Sequence, residues 1–182
     1  MSQKLDFSVV VPTYGRPEAL AQCLEGLTAQ TTPPGEIIVV RPAADFASAE
    51  VVRRYPGVVD ETVELPSNMA GLEKGACRAR GDVICLIDDD AVPRPDWLER
   101  MAQHLADPRV GAVGGRDRQP GSPPRATVPV GLITPWGKFI GNHHVGDGGP
   151  RDVDVLKGVN MAFRRDLLVI PVGLQGGSTQ GG

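Results

Sequence analysis

An α/β fold, with a mostly parallel sheet covered by helices on both faces, is the architecture this sequence predicts. Three observations predict it. Apolar, β-branched runs recur at residues 7–11, 36–40 and 83–87. Stretches with helical spacing of apolar residues alternate with those runs, and Pro and Gly punctuate the joins. Strands that are apolar throughout belong to a sheet buried on both faces, which parallel βα units produce.

The elements follow in order. Phe7 to Val11 is a buried strand ending at Pro12. Pro17 opens a helix, because proline is tolerated in a first turn. Leu20, Cys23, Leu24 and Leu27 fall on one face of that helix. Pro33, Pro34 and Gly35 break the chain before a second strand, Glu36 to Val40. Asp45 caps a helix running to about Tyr55, where Pro56 and Gly57 stop it. Val58 to Leu65 is a weaker strand, and Met69 to Arg80 a helix ended by Gly81. Val83 to Ile87 is a clear strand. Pro95 and Asp96 start a helix with Leu98, Met101 and Leu105 on one face, and Asp96 with Glu99 fits a capping box. Val110 to Val113 is a further strand.

From Gly114 to Pro150 the character changes. Fifteen of these 37 residues are Gly or Pro, yet Trp136, Phe139, His143 and His144 lie among them. That reads as a long functional loop or an insertion, mobile until a ligand orders it. Regular structure resumes at Asp152 to Leu156 and Asn160 to Leu168. The chain therefore divides into an α/β region over 1–115 and a looser region over 116–182.

Composition excludes several function classes. The 182 residues carry a formal net charge of -3, so no strong field draws in nucleic acid or anionic lipid. Three cysteines without metal-ligand spacing argue against a disulfide framework or a zinc site, and they fit a reducing compartment. No secretory signal and no membrane-spanning apolar stretch is visible, so the expected location is the cytoplasm or the inner face of its membrane. Cys85, inside a strand, is expected to be an inert core residue.

Parallel sheets bind ligands at the carboxyl ends of their strands, so the residues after Val11, Val40 and Ile87 are the ones to inspect. The sharpest feature is Asp88-Asp89-Asp90, directly after a strand. Alternation along an extended chain puts Asp88 and Asp90 on one side and Asp89 on the other. Two such carboxylates make a hard-oxygen site suited to Mg²⁺ or Mn²⁺, which can also hold a diphosphate. A solvated acidic turn is the plainer reading, less favoured at this edge. The second feature is Pro12-Thr13-Tyr14-Gly15-Arg16-Pro17. It gathers backbone N–H groups, a hydroxyl, an aromatic face and a guanidinium, which suit a base and its phosphates. An ordinary turn with threonine as N-cap is the alternative. The pair His143-His144 reads as polar loop residues. Trp136 suits either stacking on a sugar or anchoring its loop.

Taken together, Phe-Ser-Val-Val-Val-Pro-Thr-Tyr-Gly-Arg-Pro, Glu-Ile-Ile-Val-Val, Ala-Arg-Gly-Asp-Val-Ile-Cys-Leu-Ile-Asp-Asp-Asp and Pro-Asp-Trp-Leu resemble the family 2 glycosyltransferases in order and spacing from about Phe7 to Gly115. Lys157-Gly158-Val159-Asn160-Met161-Ala162-Phe163-Arg164-Arg165 resembles the acceptor-side segment of the same family. The resemblance implies a GT-A fold, with a Rossmann-like donor half and an acceptor half. It implies transfer, with inversion, from a nucleoside diphosphate sugar to a hydroxyl of a glycan, lipid or small molecule, assisted by Mn²⁺ or Mg²⁺. Donor contacts are then expected at Pro12, Thr13, Tyr14, Arg16, Asp45, Lys74, Asp88 and Asp89. Metal contacts are expected at Asp90 and Asp88, with Asp88 nearer the ribose.

Three positions depart from the family pattern. Strand two runs into Arg41-Pro42-Ala43-Ala44-Asp45 where Asp-Asp-Gly-Ser is usual, leaving Asp45 as the substitute acid. Leu72-Glu73-Lys74-Gly75 stands where Arg-Asn-x-Gly is usual. Gly173-Leu174-Gln175-Gly176-Gly177 resembles the loop that precedes the acidic base motif, and no acid follows Asp166. The chain accordingly reads as C-terminally truncated, and it is expected to bind donor and to transfer sugar poorly. A donor-binding protein without transferase activity and a nucleotidyltransferase are the alternatives. The second needs a richer phosphate loop than Thr13 to Pro17 supplies. A receiver domain needs an acid pair after strand one, and none is there.

Overall fold

The structure, a computed structural model, describes residues 5–64, 67–125, 127–147 and 149–169. Strand β1 (Phe7–Pro12) leads to helix α1 (Pro17–Thr28), β2 (Glu36–Pro42), α2 (Phe46–Val52), β3 (Val58–Val63), α3 (Asn68–Arg78), β4 (Val83–Ile87), α4 (Trp97–Leu105) and β5 (Ala112–Gly114). A short hairpin of β6 (Leu132–Ile133) and β7 (Phe139–Ile140) follows, then β8 (Asn160–Arg164) and a 3-10 turn at Arg165–Leu167. One six-stranded sheet has the order β3-β2-β1-β4-β8-β5. β1 to β4 run parallel, and β8 is antiparallel to both β4 and β5.

Period-two alternation builds both faces. Val9, Val11, Ile37, Val39, Val83, Cys85 and Ile87 point to one side, against Leu20, Leu24 and Leu27 of α1, Val51 and Val52 of α2, and Leu98, Met101 and Leu105 of α4. Val10, Ile38, Val40, Ile84 and Leu86 point to the other, where Ala76 and Ala79 of α3 cover them. Gly75 lets α3 settle onto the sheet, because a Cβ there would run into Val10. Mostly parallel strands with helices on both faces are the architecture expected from the sequence.

Several boundaries differ from expectation, each for a local reason. α2 stops at Val52, three residues before Tyr55, whose N–H turns back to Val52 O at 2.9 Å. Tyr55 precedes Pro56, and that disfavours helical backbone. β5 starts at Ala112 because Val110 is still in a turn, its N–H donating to Asp107 O. The Asp96–Glu99 capping box does not form: Asp96 accepts from Arg94 and Arg100, while Glu99 accepts from Thr31. Burial lifts the Cys85 thiol well above its ordinary range, as an inert core residue should show.

In the long Gly- and Pro-rich segment, Gly131 is a pivot. Its carbonyl accepts from Asp154 and Val155, and its N–H donates to Gly141 O. His143 is buried with Nε2 3.0 Å from Val155 O, so this histidine ties the segment down. Trp136, at the hairpin tip, is 94% exposed and anchors nothing among the described residues. No helix among them is long and apolar enough to cross a membrane.

Candidate active site

The turn after β1 is held from three sides. Thr13 N–H donates to Val40 O at 2.9 Å, tying it to β2. Thr13 Oγ donates to Asp89 Oδ2 at 2.6 Å, tying it to the end of β4. Gly15 N–H donates to Asp45 Oδ2 at 2.7 Å, tying it to the loop after β2. Gly15 has φ of +64°, a backbone state that glycine adopts without the Cβ penalty. The reversal at Gly15 brings Arg16 back over the acids. The N-cap position of α1 is Arg16, not Thr13, and Arg16 makes no side-chain cap.

The three acids do not alternate as an extended chain would. β4 ends at Ile87, and Asp89 and Asp90 form a turn. Asp89 and Asp90 therefore meet on one guanidinium. Arg16 Nη2 lies 2.6 Å from Asp89 Oδ1, and Nη1 donates to Asp90 Oδ2 at 2.7 Å. Asp89, expected to touch donor, has no accessible surface; its place is one layer behind the site. Its Oδ1 makes no hydrogen bond, so its only compensation is the ion pair with Arg16. Asp90 is 54% exposed and Arg16 51%.

Asp88 is half-buried, and its carboxyl is pushed above the ordinary range. Burial is the main cause, followed by the charges of Asp90 and Asp89, with Arg16 and Lys157 pulling the other way. Cys23, beneath the acids on α1, is pushed up to about 12 by burial and then by Asp89 and the other two carboxylates.

Beside the turn, on the α3 face, lies a small open cleft of about 70 Å³. Pro12, Val40, Pro42, Val63 and Gly71 make apolar walls, with Tyr14 and Ser67 at hand. The Tyr14 side chain is 64% exposed. The cleft sits at the carboxyl ends of three parallel strands, as expected for this sheet type.

The other expected contacts are placed differently. Asp45 caps α2, accepting from Ser48 N–H at 3.1 Å and Ser48 Oγ at 2.7 Å besides Gly15. Burial acts to raise its pKa, yet these bonds and Arg41 outweigh it and hold the carboxyl below the usual range. Both oxygens are thus engaged in fixing the turn. Lys74, on α3, lies 3.5 Å from Glu61 of β3. Among the described residues no group of three or more His, Cys, Asp or Glu side chains converges as a metal cage. The Gly-rich stretch 173–177 lies outside the described residues.

Two features carried no sequence signal. Arg41, at the family's usual acid position, is buried and forks onto Asp60, with Nε and Nη2 at 2.8 and 2.7 Å. Asp117, beyond β5, binds Lys157 Nζ at 2.6 Å through Oδ2, while its buried Oδ1 has no hydrogen bond. Asn160, opposite Ile87 in register, accepts from Trp97 Nε1 at 2.8 Å.

Known proteins resemble this chain in sequence and in fold. The chain is 28% identical over 123 residues to glycosyltransferase AglE of Haloferax volcanii, covering 63% of this chain and 40% of that protein. It is 33% identical over 115 residues to the glucosyl-dolichyl phosphate glucuronosyltransferase of the same organism, covering 59% and 37%. The chain thus spans about two fifths of the length of these relatives. The mannosyltransferase PcManGT of Pyrobaculum calidifontis, solved with GDP-Man and Mn²⁺, superposes with a TM-score of 0.64 at 22% identity, over 91% of this chain and 46% of that one. That likeness shows the GT-A fold. Residues 8–169 match Glycosyl transferase family 2, and the chain belongs to that family.

Proposed function

We infer that this chain is the donor-binding part of an inverting glycosyltransferase, taking a nucleoside diphosphate sugar and passing the sugar to an acceptor hydroxyl. The observation that carries the reading is a juxtaposition: a small cleft with an exposed tyrosine opens next to a turn whose guanidinium lies against Asp89 and Asp90 on the same sheet edge. The cleft suits a flat base, with Tyr14 as its aromatic wall and Pro12 and Pro42 as floor. Arg16, next along the turn, suits the diphosphate. Thr13, Asp45 and Asp89 hold the turn in shape.

Asp88 and Asp90 fit a divalent cation. They offer hard oxygens at the end of β4, Asp90 is exposed, and Mg²⁺-type ions take one or two carboxylates and complete their shell with water and substrate phosphate. When bound, such an ion supplies neutralisation of the departing diphosphate. Support comes from the related fold solved with GDP-Man and Mn²⁺.

Inversion requires a group on the acceptor side to take the hydroxyl proton. Asp117 is the acid of this chain best suited to that place. Gly115 N–H donates to Asn160 O, and Asn160 pairs Ile87, so Asp117 leaves the same edge as Asp88 two strand spacings away, roughly 10 Å. Lys157 holds one of its oxygens; the other is buried and has no hydrogen bond among the described residues, so an acceptor reaches it only if this corner opens.

A thermal-shift screen with GDP, UDP and ADP, with and without Mn²⁺, tests the reading. Ligand at 100 times Kd stabilises by about 2.7 kcal/mol. At least one nucleoside diphosphate is expected to raise Tm by about 5 °C or more with Mn²⁺ present. No shift with any of them, with or without metal, contradicts the reading.

A further inference from the structure

We propose that Arg16 is a tethered counter-cation that occupies the metal position at Asp90 and yields it only when the donor's diphosphate arrives. This deepens, and rests on, the assignment of Asp90 as a metal ligand. The guanidinium spans two carboxylates of unlike character. Asp89 is buried and has a single hydrogen bond, from Thr13; its other oxygen depends on Arg16 for all its compensating charge. Asp90 is 54% exposed, and water can replace Arg16 there at little cost. The Asp89 end of the fork is therefore the fixed end, and the Asp90 end is the one that opens.

The competing positive charges have a simple consequence. A divalent cation at Asp90 must displace Nη1 and sit beside a guanidinium fixed at Asp89, so repulsion weakens metal binding to the empty protein. A diphosphate changes this balance. It offers the freed Nη1 a new bidentate partner and supplies further oxygens for the cation. Metal and nucleoside diphosphate should then bind with positive coupling, and by linkage each tightens the other equally. Free metal is held weakly, which keeps the acids available for metal arriving with donor. Asp88, without a direct bond to Arg16, is left to the cation throughout.

The test is Mn²⁺ titration followed by calorimetry, on the full chain, with MnCl₂ alone and in the presence of saturating GDP or UDP, whichever the protein binds. The variants are Arg16→Ala, Arg16→Gln and Asp90→Asn. Arg16→Gln keeps a donor for Asp89 and serves if the alanine variant melts early. The expected result is that both Arg16 variants bind Mn²⁺ alone about tenfold more tightly than wild type, and that nucleotide raises their Mn²⁺ affinity by a smaller factor than it does in wild type. Asp90→Asn is expected to abolish Mn²⁺ binding in every background. If Asp90→Asn abolishes binding but the Arg16 variants match wild type or bind more weakly, the counter-cation role is overturned and the metal site stands. If Asp90→Asn leaves Mn²⁺ binding unchanged, the metal assignment falls and the Arg16 proposal falls with it. If neither wild type nor the Arg16 variants bind Mn²⁺ alone, the proposal is likewise overturned.

Discussion

Asp89→Ala is expected to cost about 2–3 kcal/mol of stability, while Asp90→Ala changes stability by less than about 1 kcal/mol. The neighbours differ only in where the chain puts them. Asp89 is buried and carries the Thr13 hydroxyl and half of the Arg16 fork. Removing it leaves a buried hydroxyl without its acceptor and frees the turn between β1 and α1 from the end of β4. Asp90 is exposed, and its single contact with Arg16 is a surface ion pair. Urea denaturation of the two variants reads the difference directly. Equal losses would show that Asp89 is not the post on which the turn is built.

Arg41→Ala should cost about 1.5–3 kcal/mol, the range for hydrogen bonds to a charged group, because Arg41 is buried while its partner Asp60 reaches solvent. Arg41 forks onto Asp60 and also reaches Pro42 O and Asp45 O, both at 3.3 Å. It thereby joins β3, the end of β2 and the N-cap of α2, which in turn holds Gly15. Part of the cost is the Asp60 carboxylate left without its cation, so Arg41→Ala with Asp60→Ala should be less destabilised than the sum of the two single variants. Strict additivity in chemical denaturation would count against the fork as a unit. The same geometry bears on recognition. Arg41 turns to the α2 side, and Pro42 faces the cleft.

The fold was largely legible because its central strands are almost wholly apolar. Phe7 to Val11 and Val83 to Ile87 can only be central strands, and Leu20, Cys23, Leu24 and Leu27 can only face them. Boundaries were less legible where hydrogen bonds outside the local pattern decide them, as at Tyr55 and Val110. At the candidate site the acids stand at a strand end as expected, while their local geometry differs from the expected alternation. Strand-end logic placed the acids correctly, but alternation assumes extended backbone, and the chain turns after Ile87. That turn is what brings Asp90 onto Arg16 and buries Asp89. Asp45 reads from sequence as the cap of α2, which its bond from Ser48 N–H bears out, and as a substitute acid for the donor; its bond from Gly15 N–H is the contact that no spacing announces. Asp117 and Lys157 are forty residues apart and meet only because β8 lies between β4 and β5.

The most direct measurement is calorimetric titration of the nucleoside diphosphate identified by thermal shift into wild type and Asp90→Ala, each with and without Mn²⁺. Wild type is expected to bind about tenfold or more tightly with Mn²⁺, and Asp90→Ala to bind equally with and without it, since one lost carboxylate removes the cation's hold beside the diphosphate. The same metal gain in both proteins would contradict a cation held between Asp90 and the donor.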